Sequence, residues 1–184
     1  FRLSASLDYR FNTNEDASVL RRNLALPEGN PQTRALATQW HQGNTPEGVI
    51  AKALALFAAE FTYTLQPPLL GRQGIDDFLF RTKRGFCEHY SAAFVTLMRA
   101  AGIPARVVGG YQGGEFNPLD SYLVVRQSDA HAWAEVWLEG KGWVRVDPTA
   151  AVSPDRIETG IASALAFGEP LPMLIQLRAD WIRT

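Results

Sequence analysis

The chain has 184 residues, enough for one domain with a real hydrophobic core, and its 18 basic and 19 acidic side chains leave a net charge of -1. Because the only basic run is the short one of Arg81, Lys83 and Arg84, nothing in the charge pattern indicates nucleic-acid binding. A single cysteine excludes an internal disulfide and every zinc site built on paired cysteines. The role of that one thiol therefore has to come from its surroundings.

The N-terminal third predicts an arm followed by two helices. Residues 1–30 show some alternation of apolar residues and end in a Pro- and Gly-containing stretch, which predicts an extended arm and a turn. A short helix is predicted from Thr33 to Trp40, and a second begins at Pro46, with Thr45 as its N-cap, and ends near Glu60. The residues from Phe61 to Leu65 are predicted to be extended.

The middle of the chain predicts one helical turn over residues 76–80 and a longer helix that begins at Cys87. Gly102 followed by Ile103 and Pro104 predicts its end. Apolar residues recur on one face of this helix, namely Tyr90, Phe94, Leu97, Met98 and Ala101.

Beyond Pro104 the composition turns to β-branched and aromatic residues separated by Gly, Asn, Pro or Asp, which favours strands. The predicted strands are Ala105–Tyr111, Ser121–Gln127, Ala130–Leu138 and Gly142–Val146. Helices followed by an antiparallel sheet indicate an α+β domain with helices on one side of the sheet. We expect one globular unit: an N-terminal arm and helices over residues 1–60, a core over 61–150, and an extension over 151–184 that ends in an amphipathic helix from Met173 to Ile182.

The position of Cys87 favours a nucleophilic thiol. A thiol with an ordinary pKa of ~8.5 is mostly protonated at neutral pH and needs help to ionise. The first turn of a helix offers unpaired N–H groups and the positive end of the helix dipole, which stabilise a nearby anion by roughly 0.3 to 1 kcal/mol. The same N–H groups can donate to the oxyanion that forms when sulfur attacks a carbonyl carbon.

Three histidines are candidates for the base that such a thiol requires. His41 lies in a polar stretch, where a solvated surface position is expected. His89 is two residues from Cys87 on the same helix and points in a different direction, so a supporting or surface role is expected. His131 opens a strand next to a loop and is the predicted base.

Asp147 is the predicted partner of His131. The link of residues 139–141 suits a tight antiparallel hairpin, and pairing of Leu138 with Gly142 would put Asp147 diagonal to His131 on one face. Diagonal neighbours lie about 7 to 8 Å apart, close enough for an imidazole and a carboxylate to form a hydrogen bond. A register slip of one residue would send the two side chains to opposite faces.

Other readings of the same residues are weaker. Asp129 is a rival partner for His131, although it would need a local turn to reach the ring. Without a His-Glu-x-x-His motif or paired cysteines, a metal site is not predicted. The pairs Gly109-Gly110 and Gly113-Gly114 precede no helix, so we interpret them as loop glycines near the site entrance and not as a phosphate-binding motif.

Taken together, these residues resemble the core of the bacterial transglutaminase-like superfamily. The resemblance covers about residues 61–150, and the family's Cys, His and Asp fall on Cys87, His131 and Asp147. The segments that carry it are Gly85–Phe94, Leu97–Tyr111, Asp129–Val136, Gly142-Trp143 and Asp147–Thr149.

The resemblance implies a papain-like arrangement with no required cofactor, acting on a protein or peptide substrate, with cell-envelope peptides as one candidate. It also implies the periplasmic domain of a bacterial inner-membrane protein whose transmembrane segments lie outside this chain, which begins with Phe1 and not Met. The reaction it implies is protein-glutamine γ-glutamyl transfer through a thioester. Two alternatives stay open: a cysteine protease or amidase, and a catalytically inactive binding module. Tyr63 is a candidate side-chain oxyanion donor but fits better as an aromatic residue of a strand core.

Overall fold

The computed structural model describes residues 10–155, so the first nine residues of the predicted arm and the predicted helix from Met173 to Ile182 lie outside them. In chain order the elements are α1 (Ala17–Arg22), α2 (Pro31–His41), α3 (Pro46–Glu60), β1 (Thr62–Tyr63), α4 (Gly74–Asp76), a π-helix (Asp77–Thr82), β2 (Arg84–Gly85), α5 (Cys87–Ala100), β3 (Ala105–Tyr111), β4 (Glu115–Asn117), β5 (Tyr122–Val124), a 3₁₀ turn (Gln127–Asp129), β6 (Ala130–Leu138) and β7 (Gly142–Val146). The α+β class is confirmed. No helix within this part of the chain has the length and apolarity of a membrane span.

The main sheet and its helix match the prediction closely. Strands β3, β6 and β7 have the predicted bounds and form one antiparallel sheet in the order β3-β6-β7. Helix α5 packs on β3 and β6. The strand face that it covers consists of small and β-branched residues, which let the helix approach closely, and the predicted apolar face of α5 is buried against them and the other helices.

A separate hairpin was only half predicted. The expected strand from Ser121 to Gln127 is shorter, since β5 spans Tyr122–Val124 and a 3₁₀ turn follows it. Its partner β4 was missed, because three residues between a glycine pair and a proline are too few to show alternation. This β4–β5 hairpin connects the end of β3 to the start of β6.

The prediction of an extended arm over residues 1–30 was wrong for Ala17–Arg22, because these residues form the helix α1. Asp16 caps this helix: its Oδ1 accepts a hydrogen bond from the backbone N–H of Ser18 at 2.7 Å. Two arginines, Arg21 and Arg22, occupy the last turn, where a positive charge is favourable. A helix of six residues has too little apolar periodicity to be recognised in the sequence.

The segment before α1 contains a turn at residues 13 and 14 and is hydrogen-bonded to the β6–β7 hairpin. The backbone N–H of Trp143 donates to the carbonyl of Phe11 at 2.9 Å, and Nε1 of Trp137 donates to the carbonyl of Asn12 at 2.9 Å. Gly142 is required at this crossing, because its φ is +78° and a Cβ there would lie 2.1 Å from the Phe11 oxygen. The N-terminal segment therefore helps to hold the hairpin in register.

A short parallel pair of strands precedes α5. Tyr63 of β1 pairs with Gly85 of β2, and the N–H of Thr64 donates to the Gly85 carbonyl at 2.8 Å. The predicted extended stretch from Phe61 to Leu65 is thus confirmed over its central residues, and the chain is fixed two residues before Cys87.

The start of α2 is held by a buried carboxylate from another part of the chain. Asp76 accepts hydrogen bonds from the N–H groups of Gln32 and Thr33 at 3.0 and 2.8 Å and from the Thr33 hydroxyl at 2.5 Å. In return Asn30 Oδ1 accepts from the N–H groups of residues 75 and 76. Each of the two helical segments therefore caps the other.

We expect Asp76→Ala to destabilise the protein by about 2 kcal/mol, because the substitution leaves buried N–H groups without an acceptor. Urea unfolding followed by circular dichroism measures the loss. Asp120→Ala, which removes an exposed carboxylate in the β4–β5 turn, is the matched control and should change the free energy of unfolding little. Equal stability of both variants would show that the reciprocal caps do not stabilise α2.

Candidate active site

Cys87 is the first residue of α5 and is 8% exposed. The preceding residue, Phe86, has an extended backbone, so the chain turns into the helix at the cysteine. Gly85 is necessary here, because a Cβ would lie 2.7 Å from the His89 side chain. The His89 ring folds back over this glycine, and its Nδ1 accepts from the Phe86 N–H in a long contact of 3.4 Å. His89 thus supports the helix start, in agreement with its predicted supporting role.

Ser91 joins the helix start to the strand that carries His131. This buried hydroxyl, one turn after Cys87, lies 2.7 Å from the Cys87 carbonyl and 2.8 Å from the carbonyl of Ala132. The two carbonyl acceptors share the one hydroxyl proton of Ser91. No role was predicted for Ser91 from the sequence, although its position four residues after Cys87 places both residues on one helix face.

The predicted hairpin register is confirmed, since Leu138 pairs with Gly142. His131 and Asp147 meet as expected: Nε2 of the buried ring lies 2.7 Å from Oδ2 of Asp147. The other oxygen, Oδ1, accepts from the backbone N–H of Thr149 at 3.1 Å in an Asx turn. Asp147 is therefore a turn residue and the partner of His131 at once.

The second ring nitrogen of His131, Nδ1, is the one that Asp147 leaves available. Nδ1 is buried and makes no hydrogen bond of standard geometry within residues 10–155. The thiol of Cys87 is nevertheless near enough to interact with the ring, since it is one of the groups that raise the pKa of His131. Because Asp147 occupies Nε2, Nδ1 is the nitrogen that remains for the thiol, and the structure brings the three predicted residues together.

The ionisation of the pair reflects burial opposed by charge. Burial is the largest influence on the pKa of His131 and lowers it, but the hydrogen bond to Asp147, the negative charge of that carboxylate and the nearby Cys87 raise it above the ordinary value of 6.5. Burial likewise raises the pKa of Asp147, but the hydrogen bond and charge of His131, with the charge of Arg145, hold it below the ordinary 3.8. The pair therefore favours an ionised Asp147 and shifts the loss of the second His131 proton to higher pH.

Trp133 and Gly110 lie beside His131, and no role was predicted for either from the sequence. The Trp133 ring stacks on the His131 ring with a centroid distance of 6.2 Å and an angle of 26°. Gly110 lies opposite His131 in β3, and a Cβ there would be 2.7 Å from the Trp133 ring. The interpretation of Gly109-Gly110 as loop glycines was therefore wrong: they belong to β3, and Gly110 makes room for the indole.

The rival residues have other positions. The carboxylate of Asp129 accepts from the backbone N–H of Arg126 at 2.7 Å within the 3₁₀ turn. His41 is exposed at the end of α2, and Tyr63 is buried among core aromatic residues, both as expected. Within the described residues no group of three or more His, Cys, Asp or Glu side chains is arranged to hold a metal ion. The absence of a cofactor stays a prediction.

Comparison with known proteins agrees with this geometry. The family model described as "Transglutaminase-like superfamily" matches residues 34–148, which is more than half of the chain. The chain therefore belongs to the transglutaminase-like superfamily. It is 55% identical over 148 residues to a protein-glutamine gamma-glutamyltransferase of Pseudomonas aeruginosa, covering 79% of this chain and 22% of that protein. It is 38% identical over 146 residues to the uncharacterized protein YebA of Bacillus subtilis, covering 73% of this chain and 20% of that protein.

Solved structures agree with the sequence relatives. The crystal structure of the periplasmic domain of TgpA from Pseudomonas aeruginosa has a TM-score of 0.81 at 52% identity, over 83% of this chain and 54% of that one. This match confirms the expected periplasmic location. A cysteine protease structure from Cytophaga hutchinsonii, at 22% identity and a TM-score of 0.55 over 77% of this chain and 45% of that one, shows the shared fold alone. The chain spans about a fifth of the length of the curated relatives it matches, and attachment to transmembrane segments stays a prediction.

We expect Asp147→Asn to lower the pKa of His131, because the substitution removes the negative charge and leaves burial dominant. NMR titration of the histidine rings measures this directly, with exposed His41 as an internal reference. An unchanged His131 midpoint would contradict the assigned contact.

The same substitution should cost the most stability between pH 3.8 and 6.5. The raised pKa of His131 stabilises the fold fully below 6.5, and this contribution is lost as the pH rises through the folded value. The lowered pKa of Asp147 stabilises the fold above 3.8, and this contribution is lost as the pH falls through the folded value. Unfolding free energies of both proteins across this range test the window, and a difference independent of pH would contradict it.

Proposed function

We propose that this chain catalyses acyl transfer of the protein-glutamine γ-glutamyltransferase type, with Cys87 as nucleophile, His131 as general base and acid, and Asp147 as the residue that orients His131. The observation that carries the proposal is the hydrogen bond of 2.7 Å from His131 Nε2 to Asp147. Because the neutral ring then bears its proton on Nε2, it offers the lone pair of Nδ1 to the thiol of Cys87. Membership of the superfamily and identity to a named γ-glutamyltransferase support the choice of reaction.

In the first half of the proposed reaction, Cys87 Sγ attacks the carboxamide carbon of a glutamine side chain while His131 takes the thiol proton. Collapse of the tetrahedral intermediate breaks the C–N bond, and His131 returns the proton to the departing ammonia. A thioester between Cys87 and the glutamyl group remains. A primary amine then attacks the thioester carbon, and His131 accepts the amine proton. The C–S bond breaks as the new amide bond forms, and His131 returns the proton to Sγ.

The start of α5 is suited to stabilise the oxyanion in both halves of this reaction. The N–H groups of residues 87 and 88 lie in the first helical turn, where the helix itself provides no acceptor. Fixed donors of this kind act without reorganisation at the moment of reaction. The links of Gly85 to β1 and of Ser91 to β6 hold this turn in place.

We expect the protein to incorporate a labelled primary amine into a glutamine-containing peptide. Cys87→Ser and His131→Ala should each lower the rate by about 10²- to 10⁴-fold, since they remove the nucleophile and the proton carrier. His41→Ala, which removes an exposed histidine, should leave the rate unchanged. Mass spectrometry of the peptide measures the product.

The same assay separates transfer from hydrolysis and from inactivity. Conversion of glutamine to glutamate with no amine incorporated would replace the transferase proposal by an amidase. Incorporation that survives Cys87→Ser would remove Cys87 from the mechanism. Alkylation of Cys87 at one rate in the wild type and in His131→Ala would point to a binding module that retains the fold.

A polypeptide is the substrate we propose, and the surface beside the site supports this choice. The β4–β5 hairpin begins after Tyr111, which pairs with Ala130 next to His131. It exposes several large apolar side chains, among them Phe116 at 61% and Leu119 at 94%. Exposed apolar residues gathered on one element are typical of an interaction surface, and this one adjoins the strand that carries His131.

We expect the double substitution Phe116→Ser and Leu123→Ser, at a cross-strand pair of this hairpin, to raise KM for an apolar glutamine peptide about three- to tenfold. Alkylation of Cys87 by a small reagent should be unchanged, because the reagent does not need the hairpin. Leu69→Ser, which changes a leucine that is 94% exposed in another loop, is the control. An unchanged KM in the double variant would contradict a role of the hairpin in substrate binding.

A further inference from the structure

Arg145 contacts both neighbours of His131. It lies on β7 two residues before Asp147, so the two side chains share a face of the sheet. Its Nη2 is 3.4 Å from Oδ2 of Asp147, the same oxygen that meets His131 Nε2 at 2.7 Å. Its Cζ lies 4.3 Å from the centroid of the Trp133 ring, which stacks on His131. The guanidinium thus bridges the carboxylate and the indole that flank the imidazole.

A third contact holds the guanidinium in this position. Nη2 of Arg145 donates to Oε1 of Gln112 at 2.8 Å, and the backbone N–H of Gln112 donates to the carbonyl of Asp129 at 2.8 Å. Gln112 therefore links Arg145 to the base of the β4–β5 hairpin, where the chain after β3 is hydrogen-bonded to the 3₁₀ turn before β6. The Arg145 side chain is 44% exposed, but its N–H groups contact Gln112 and Asp147, and its planar face contacts the Trp133 ring.

The same sheet contains a similar arrangement without the histidine. Cζ of Arg106 lies 4.1 Å from the centroid of Trp143, and its Nη2 is 2.6 Å from the carboxylate of Glu135. Glu135 makes a closer ion pair than Asp147 does, yet it orients no residue of the candidate site. Arg106 therefore serves as a control, because it shows what an arginine between a tryptophan and a carboxylate contributes to the sheet when no residue of the candidate site is involved.

We propose that Arg145 is a positioning residue that, by contacting Asp147 and Trp133 together, holds the carboxylate and the indole in the arrangement that orients His131 toward Cys87. This inference rests on the proposed function, because the orientation matters only if Cys87 and His131 act together. The contact of Arg145 with Asp147 is long, at 3.4 Å, and the bond of 2.7 Å from Asp147 to His131 is shorter. Arg145 therefore places a positive charge beside the carboxylate without replacing its hydrogen bond to the ring.

The charge of Arg145 also favours the ionised carboxylate. The groups that face Asp147 are His131 from β6, Arg145 from its own strand and the N–H of Thr149, and Cys87 of α5 lies near the His131 ring. Burial opposes ionisation of Asp147, whereas the charges of His131 and Arg145 both lower its pKa. A guanidinium stays protonated at every working pH, so its contribution persists where His131 has lost its proton.

The test compares Arg145→Gln, Arg145→Lys and Arg106→Gln in the whole protein. Two quantities are measured: the rate of Cys87 alkylation by iodoacetamide across pH, and the titration midpoint of the Asp147 carboxyl carbon by NMR. In Arg145→Gln we expect the rate to fall about two- to fivefold, the scale of a part-exposed ion pair, and the Asp147 midpoint to move upward. Arg145→Lys should restore the midpoint but not the full rate, because an ammonium lacks the planar face that stacks on Trp133. Arg106→Gln should change neither.

Arg145→Gln that behaves like Arg106→Gln in both measurements would overturn the inference. If thermal melting shows that Arg145→Gln does not fold, Gln112→Ala carries the test, since it frees the guanidinium and leaves the charge in place. A wild-type alkylation rate in that variant would then overturn the inference. Failure of the proposed function gives a different result. Cys87 would then be alkylated at the same rate in the wild type and in His131→Ala, while the Asp147 midpoint would still move upward in Arg145→Gln.

Discussion

The register of the β6–β7 hairpin is the constraint on which the candidate site depends. Side chains alternate between the two faces of a strand, so a shift of one residue would move Asp147 away from His131. The pairing of Leu138 with Gly142 puts both on one face. The segment before α1 reinforces this pairing through the hydrogen bond from Trp143 to Phe11, which lies next to Gly142 at the end of the turn. A segment that contributes no residue to the candidate site therefore helps to maintain the contact of His131 with Asp147.

The position of Cys87 relative to His131 depends on a second constraint, the hydrogen bonds of the buried Ser91 hydroxyl. A buried hydroxyl without a partner is costly, so its two carbonyl acceptors on α5 and β6 define how the helix sits on the strand. The apolar contact between helix and sheet is strong but has no direction, and it would allow the helix to slide. The hydrogen bonds of Ser91 supply the direction, while the cap of α2 by Asp76 and the β1–β2 pair fix the chain that enters α5.

Sequence alone predicted those parts of the molecule that depend on local pattern. Strands β3, β6 and β7 have alternating or β-branched composition and clear turn residues at their ends, and the link after Leu138 is too short for anything except a hairpin, so the meeting of His131 with Asp147 followed from counting residues. Ser91, Trp133 and Arg145 were missed because a serine on a helix or an arginine on a strand has no special role until tertiary contacts are known. The helix α1 and the strand β4 were missed because six and three residues are too short for a period to emerge. The fold class followed from the order of the elements, whereas the support around the site depended on contacts between distant residues.

Detection of the acylated cysteine tests the central claim most directly. The protein is mixed with a glutamine-containing peptide in the absence of amine, quenched in acid and measured by intact-mass and fragment mass spectrometry. We predict an adduct on Cys87 with the mass of the peptide less ammonia, which disappears on addition of a primary amine. Modification of the peptide while Cys87 stays unacylated at every time point would contradict the account, as would the absence of an adduct across a library of glutamine peptides.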